Sequence, residues 1–265
     1  LKEILKLNPW LMGKLYKTTE GNGIAMRWSD DDLNRELEAI AQGKSTILHI
    51  NPKEFKNKLH LDQSYNQISK ISLRSSYVVP VGKICLKKNR PLFSLIMAEV
   101  GDDAFVIQLS LSHIIADGYT AYALLNMLLV PDVITALEPQ RDHSFNEKLK
   151  DALGHKEKSL LDFSLPGILN AIGKFLFLPQ PKGYFFKVNM EAIEQEKKAA
   201  QASASSSLFV STNDILSSTL ARMMGFTSLY MAINFRRRFN FTTPNGTTSM
   251  GESLAGNYES GILFF

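Results

Sequence analysis

The stretch SLSHIIADGYTAY, residues 110–122, decides how the chain is read, because it sets His113, Asp117 and Gly118 in an H-x-x-x-D-G pattern where one kind of periodicity gives way to another. Before it, AFVIQLSLS (104–112) alternates as a half-buried strand does. After it, Ala121, Leu124, Leu125, Leu128 and Leu129 recur at helical spacing until Pro131 stops them. The histidine therefore ends a strand and the glycine opens a helix. Just upstream, LFSLIMAEV (92–100) and the turn GDD make a hairpin with the 104–112 run.

A strand-to-helix connection of this kind suits catalysis, since it presents side chains from a rigid scaffold. A general base needs one imidazole nitrogen free and its tautomer fixed by a hydrogen bond on the other. Backbone carbonyls of the turn are expected to supply that bond to His113. Asp117 points the other way and, if buried, needs a cationic partner. Gly118 permits the chain reversal and leaves room beside the ring. Spacing alone leaves a second reading open, in which Asp117 caps the helix at 119–129 and His113 packs at its foot.

Outward from the turn, the chain alternates short helical and β-prone segments. Leu1, Ile4, Leu5, Leu11 and Leu15 have helical spacing, which Pro9 bends or breaks near Asn8. DDDLNRELEAIAQ predicts a helix with an acidic first turn and Gly43 as its terminator. TILHI (46–50) and SYVVPVGKICL (76–86) read as β-prone, YFFKVNM (184–190) and LYMAINF (229–235) as strands, and EAIEQEKKAAQASASSS as a solvated helix leading into a hinge. STNDILSSTLARMMG predicts a helix capped by Ser211 or Thr212 and closed by Gly225.

Three tempting motifs fail. GKST (43–46) lacks the first glycine of a phosphate loop, since Glu38 stands there and the preceding segment is helical. GESLA (251–255) has Ala255 where a nucleophile elbow needs glycine, and no histidine follows Ser253. His49, His60, His143 and His155 show no metal-ligand spacing, so no metal is expected.

The chain has 265 residues, 45% hydrophobic and 21% charged, enough to bury one large domain or two lobes. A net charge of +4 does not argue for nucleic acid. The single cysteine, Cys85, excludes an internal disulfide and favours a reducing, cytoplasmic setting. The apolar segment LPGILNAIGKFLFLP (165–179) is too short to span a bilayer; it reads as a lid or lobe-packing helix rather than a membrane-surface contact.

The motif and its flanks resemble the chloramphenicol acetyltransferase-like acyltransferase superfamily, which includes the BAHD acyltransferases and the condensation domains of peptide synthetases. ILKLNPWLMGKL is similar to the family's N-terminal helix and its continuation, and PLFSLIMAEVGDDAFVIQLSLSHIIADGYTAYALLNML to its hairpin, catalytic turn and following helix. FVSTNDILSSTLARMM, INFRRRF and AGNYESGI are similar to the second-lobe helix, the arginine-bearing strand and the GN segment, in the family's order. The resemblance implies an α/β sandwich lobe with a mixed sheet and flanking helices over residues 1–180, and a crossover helix with an incomplete second lobe over 181–265.

It further implies that His113 is the general base of an acyl transfer from a CoA or carrier-protein thioester to an alcohol or amine acceptor. Acyl-CoA is then a co-substrate, no cofactor is bound, and a monomer is favoured. Asp117 and Gly118 are structural, and Asp117 pairs with an arginine of the second lobe, Arg236 in the first place and Arg238 in the second. Ser112 stands where condensation domains have a first histidine, so the single-histidine branch fits better. The family's DFGWG motif is absent, which opens the alternative of a partial or degenerate relative that binds acyl groups or a protein partner.

Overall fold

The computed structural model describes residues 1–19, 23–53, 55, 58–60, 63–73, 75–100, 104–154, 188–203, 209–225, 229–242, 248–249 and 251–264. Helix α1 (Lys2–Leu7) ends at Asn8, where Pro9 has no N–H to continue it, and Pro9–Met12 forms one 3-10 turn. Leu15, which prolongs the helical spacing in the sequence, lies instead on β1 (Lys14–Lys17), paired antiparallel with β2 (Ile24–Arg27). Helix α2 (Asp30–Ala41) starts on Ser29, whose hydroxyl accepts the Asp32 N–H. Its exit runs through Gly43 at φ +67°, so GKST is the end of a helix.

Strand β3 (Leu48–Ile50) and helix α3 (Tyr65–Leu73) follow. The 76–86 run differs from its β-prone reading: α4 (Gly82–Lys88) occupies its second half. Pro80 cannot donate to a strand ladder, and the Val79 N–H goes to the side-chain hydroxyl of Ser110 instead of a backbone carbonyl. Cys85 is buried in α4, and burial raises its thiol above the usual value, as befits a small core residue.

Strands β4 (Phe93–Val100) and β5 (Ala104–Leu111) form the expected antiparallel hairpin, Phe93 opposite Leu111. β3 joins β4 in parallel, giving the mixed order β3-β4-β5. β4 is the central strand and is buried on both faces. Phe93 and Leu95 enter a core with Trp10, Leu11 and Leu124, while Ile96, Ala98 and Val100 pack with Phe55 and Leu59. A strand covered on both sides reads as a continuous apolar run.

Helix α5 (Gly118–Leu129) ends before Pro131, and α6 (Phe145–Leu153) follows. Next come α7 (Met190–Ser203) and α8 (Thr212–Met224); a Ser211–Asp214 capping box opens α8, and Gly225 at φ +62° closes it. β6 (Leu229–Asn234) pairs with β9 (Glu259–Phe264), and β7 (Phe241–Thr242) with β8 (Thr248–Ser249). Of the strand predicted at 184–190, residues 184–187 lie outside the described residues and Met190 opens α7. The 101–103 turn and the 165–179 segment also lie outside them.

The chain forms two compact units, one of Leu1–Lys148 with Asn234–Glu259, the other of Leu149–Ile233 with Ser260–Phe265. Within the second, α7 packs on α8. Within the first, Asn8 is fully buried and joins the end of α1 to the segment after α5. Its amide donates to the carbonyls of Ile4 and Thr135 and accepts from the Leu137 N–H at 2.8 Å and the Trp10 indole at 3.3 Å. Asn8→Leu keeps the branched shape but orphans two buried donors, so it should lower unfolding stability by about 2–4 kcal/mol in urea titrations.

Candidate active site

Asp117 is the residue through which the 113–118 turn is built. It is 3% exposed and sits at the N-cap of α5. Its Oδ1 accepts the Thr120 N–H and hydroxyl, both at 3.0 Å. Its Oδ2 accepts the Tyr258 N–H at 3.0 Å and Nη1 of Arg236 at 2.6 Å. The capping and ion-pair readings are thus both realised, one on each oxygen.

Arg236 is equally saturated. Nε donates to the Leu254 carbonyl at 3.0 Å, Nη1 also to Asn234 Oδ1 at 3.2 Å, and Nη2 to the Gly256 carbonyl at 2.9 Å and Thr120 Oγ1 at 3.4 Å. All five guanidinium N–H groups have acceptors. The rings of Tyr119 and Tyr258 have their centroids 4.6 and 4.9 Å from its central carbon, within cation–π range. Arg238, the second choice from sequence, is exposed, and Arg237 pairs with Glu252 at the surface. Burial pushes the Asp117 carboxyl up, but the Arg236 contact and the Thr120 and Tyr258 N–H groups outweigh it and hold the carboxyl below the ordinary aspartate range.

His113 stands exposed on the turn rather than packed at the foot of α5. A backbone carbonyl was the expected partner of its ring; the partner is a side chain, Asn257, with Oδ1 3.1 Å from Nδ1. The Asn257 Nδ2 donates to the His113 carbonyl at 2.6 Å. That second bond orients the amide, since only nitrogen can donate to a carbonyl. The oxygen then faces the ring, so Nδ1 carries a proton and, in the neutral ring, Nε2 holds the lone pair. Gly118 opens α5 without a left-handed backbone, so chain reversal does not require glycine there. The only described atom within 4 Å of a Cβ built on it is Oε1 of Glu259 at 3.4 Å, an ordinary contact.

The first compact unit therefore brings His113, Asp117, Gly118 and Arg236 together with three residues that motif reading missed, Thr120, Asn257 and Tyr258. Asn257 and Tyr258 follow Gly256 in the GN segment, and only that similarity pointed to the region. Ser112, before the histidine, has a buried hydroxyl with no partner among the described residues. A pocket of about 350 Å³ lined by Thr46, His49, Tyr77, Arg90 and Ser94 does not include His113. Among the described residues no group of three or more metal-ligating side chains occurs, and no helix is long and apolar enough to cross a membrane.

No protein-family model and no curated protein sequence matches the chain. Solved structures do. The first condensation domain of the calcium-dependent antibiotic synthetase, in complex with a substrate analogue, matches with a TM-score of 0.51 at 12% identity, over 99% of this chain and 58% of that one. Another structure of that condensation domain gives 0.49 at 13% identity over the same shares. TRI101 of F. graminearum, complexed with ethyl coenzyme A, gives 0.47 at 12% identity over 99% and 59%. The mixed α/β fold expected from the sequence is the fold found, and the chain spans about 58% of the length of the condensation-domain chain it matches.

Breaking the buried pair from one side leaves an uncompensated charge. Arg236→Met is expected to cost about 3–5 kcal/mol in denaturant titrations, with Asp117→Leu similar and the double variant well short of the sum. The folded carboxyl titrates below its unfolded value, so its stabilisation is complete above about pH 4 and lost as pH falls through the depressed folded value. Acid titration of Asp117→Asn should lack this component of the wild-type stability loss.

Proposed function

We propose that the chain is the histidine-bearing part of an acyltransferase that moves an acyl group from a thioester to an alcohol or amine. The observation that carries this is the Asn257 amide, which holds the ring of the exposed His113 through Nδ1 and, in the neutral ring, leaves Nε2 as the nitrogen with the lone pair. In the proposed step Nε2 takes the proton of the acceptor O–H or N–H as that atom bonds to the thioester carbonyl carbon. The tetrahedral intermediate collapses, the C–S bond breaks, and the leaving thiolate takes the proton back from the imidazolium. CoA or carrier-protein thioesters fit this chemistry as donors.

Asp117, Gly118 and Arg236 hold the turn without touching the reactants, and Asn257 is a positioning residue. The division into a first lobe over 1–180 and a second beginning at 181 belongs to the same proposal. The alternative is a relative that binds acyl thioesters without turning them over.

His113→Ala should lower acyl transfer from acetyl-CoA by about 10²–10⁴-fold, the usual weight of a general base; unchanged turnover removes the histidine from the chemistry. Wild type that is stabilised by acetyl-CoA in thermal shift but releases no thiol supports the binding alternative instead. Asn257→Leu should reduce kcat about tenfold by releasing the tautomer, with KM for the thioester and the melting temperature little changed. A purely structural asparagine would move the melting temperature and leave kcat per folded molecule unchanged.

A further inference from the structure

Glu259 is the charged group of this region that the acyl-transfer chemistry leaves unused. It is half-buried at the start of β9, and among the described residues its carboxylate has no hydrogen-bond or ion-pair partner. The nearby cation does not serve it, because every N–H of Arg236 is already taken by Asp117, Asn234, Leu254, Gly256 and Thr120.

Its direction follows from its contacts. Asn257 and Glu259 both reach the 113–118 turn, while Tyr258 between them is buried. Exposure agrees: Tyr258 is 0% exposed, and its two neighbours are half-buried. Asn257 reaches His113, and Glu259 reaches the space over Gly118, where Oε1 stands 3.4 Å from a Cβ built on that glycine. The face that orients the base therefore carries an unpaired carboxylate two residues further on.

We propose that Glu259 recognises the acceptor by binding an ammonium group on it, so that the acceptor carries a cationic amine in addition to the hydroxyl or uncharged amine presented to His113 Nε2. The proposal rests on the acyl-transfer reading for its chemistry and narrows the acceptor within it. A carboxylate taken partly out of water without a partner is costly, and a bound ammonium restores the missing charge and hydrogen bonds. The bound ammonium does not react; the uncharged group loses its proton to Nε2. A competing structural role exists, because a carboxylate near the first turn of α5 also complements the helix dipole.

Calorimetric binding separates these possibilities, using a short-chain series of ω-amino alcohols and the 1-alkanols that replace the ammonium by methyl. Wild type should bind the best amino alcohol roughly tenfold or more tightly than its alkanol, as expected of one charge-assisted hydrogen bond. Glu259→Gln should remove that preference and Glu259→Asp keep most of it, with unchanged melting temperatures. Equal binding by wild type and Glu259→Gln, or a lowered melting temperature with the preference intact, overturns the assignment. The readout does not depend on turnover. His113→Ala should keep the preference while losing acyl transfer, and a preference in a wild type that transfers nothing refutes the acyl-transfer reading while upholding Glu259.

Discussion

The buried pair of Asp117 and Arg236 is the constraint on which the rest of the site depends. The two residues are 119 positions apart, their side chains are 0% and 1% exposed, and they meet at 2.6 Å. Taking both charges out of water is expensive unless every lone pair and proton finds a partner. Here the partners come from four places: Thr120 in α5, Asn234 at the end of β6, the Leu254–Gly256 segment and the Tyr258 backbone. Satisfying the pair therefore docks the 254–258 segment against the 113–118 turn, and that docking delivers Asn257 to His113. The ion pair makes no contact with the His113 ring, yet the ring's orientation by Asn257 depends on it.

How much of this the sequence discloses follows from the range over which each feature is encoded. The hairpin, the strand-to-helix change and the Ser211 cap depend on residues within one turn or one pleat of each other, and periodicity finds them. The 76–86 run misleads because its valines favour a strand, whereas Pro80 denies the ladder and Gly82 opens a helix. Leu15 misleads for the opposite reason: helical spacing continues past Pro9 although the backbone does not.

The arginine triplet shows the limit most clearly. Three identical residues in a row carry no local signal of which one is buried. Strand alternation would place Arg236 and Arg238 on the same side, but β6 stops at Asn234 and the chain turns through 235–238, with Arg237 at φ +64°. That turn sends Arg238 to solvent and leaves Arg236 inside. Asn257 was beyond reach for a similar reason, since its role exists only once a segment 144 positions from His113 is in register with it. A slip of one residue would swap its side chain for that of Tyr258 and leave the ring unoriented.

The saturation of Asp117 also separates this site from an acid–histidine couple. An aspartate four residues after a histidine invites comparison with the hydrolase triad, in which the acid holds the imidazole and stabilises its charged form. Asp117 has no capacity left for that: Oδ1 serves Thr120 twice, and Oδ2 serves Arg236 and Tyr258. The group that orients His113 is a neutral amide, which fixes the tautomer without bringing a negative charge to the ring. In the proposed acyl transfer, an imidazolium formed there would be less stabilised than beside a carboxylate, which would favour prompt return of the proton to the leaving thiolate. An asparagine in that position suits the proposed role, that of a base that gives its proton back within the same turnover.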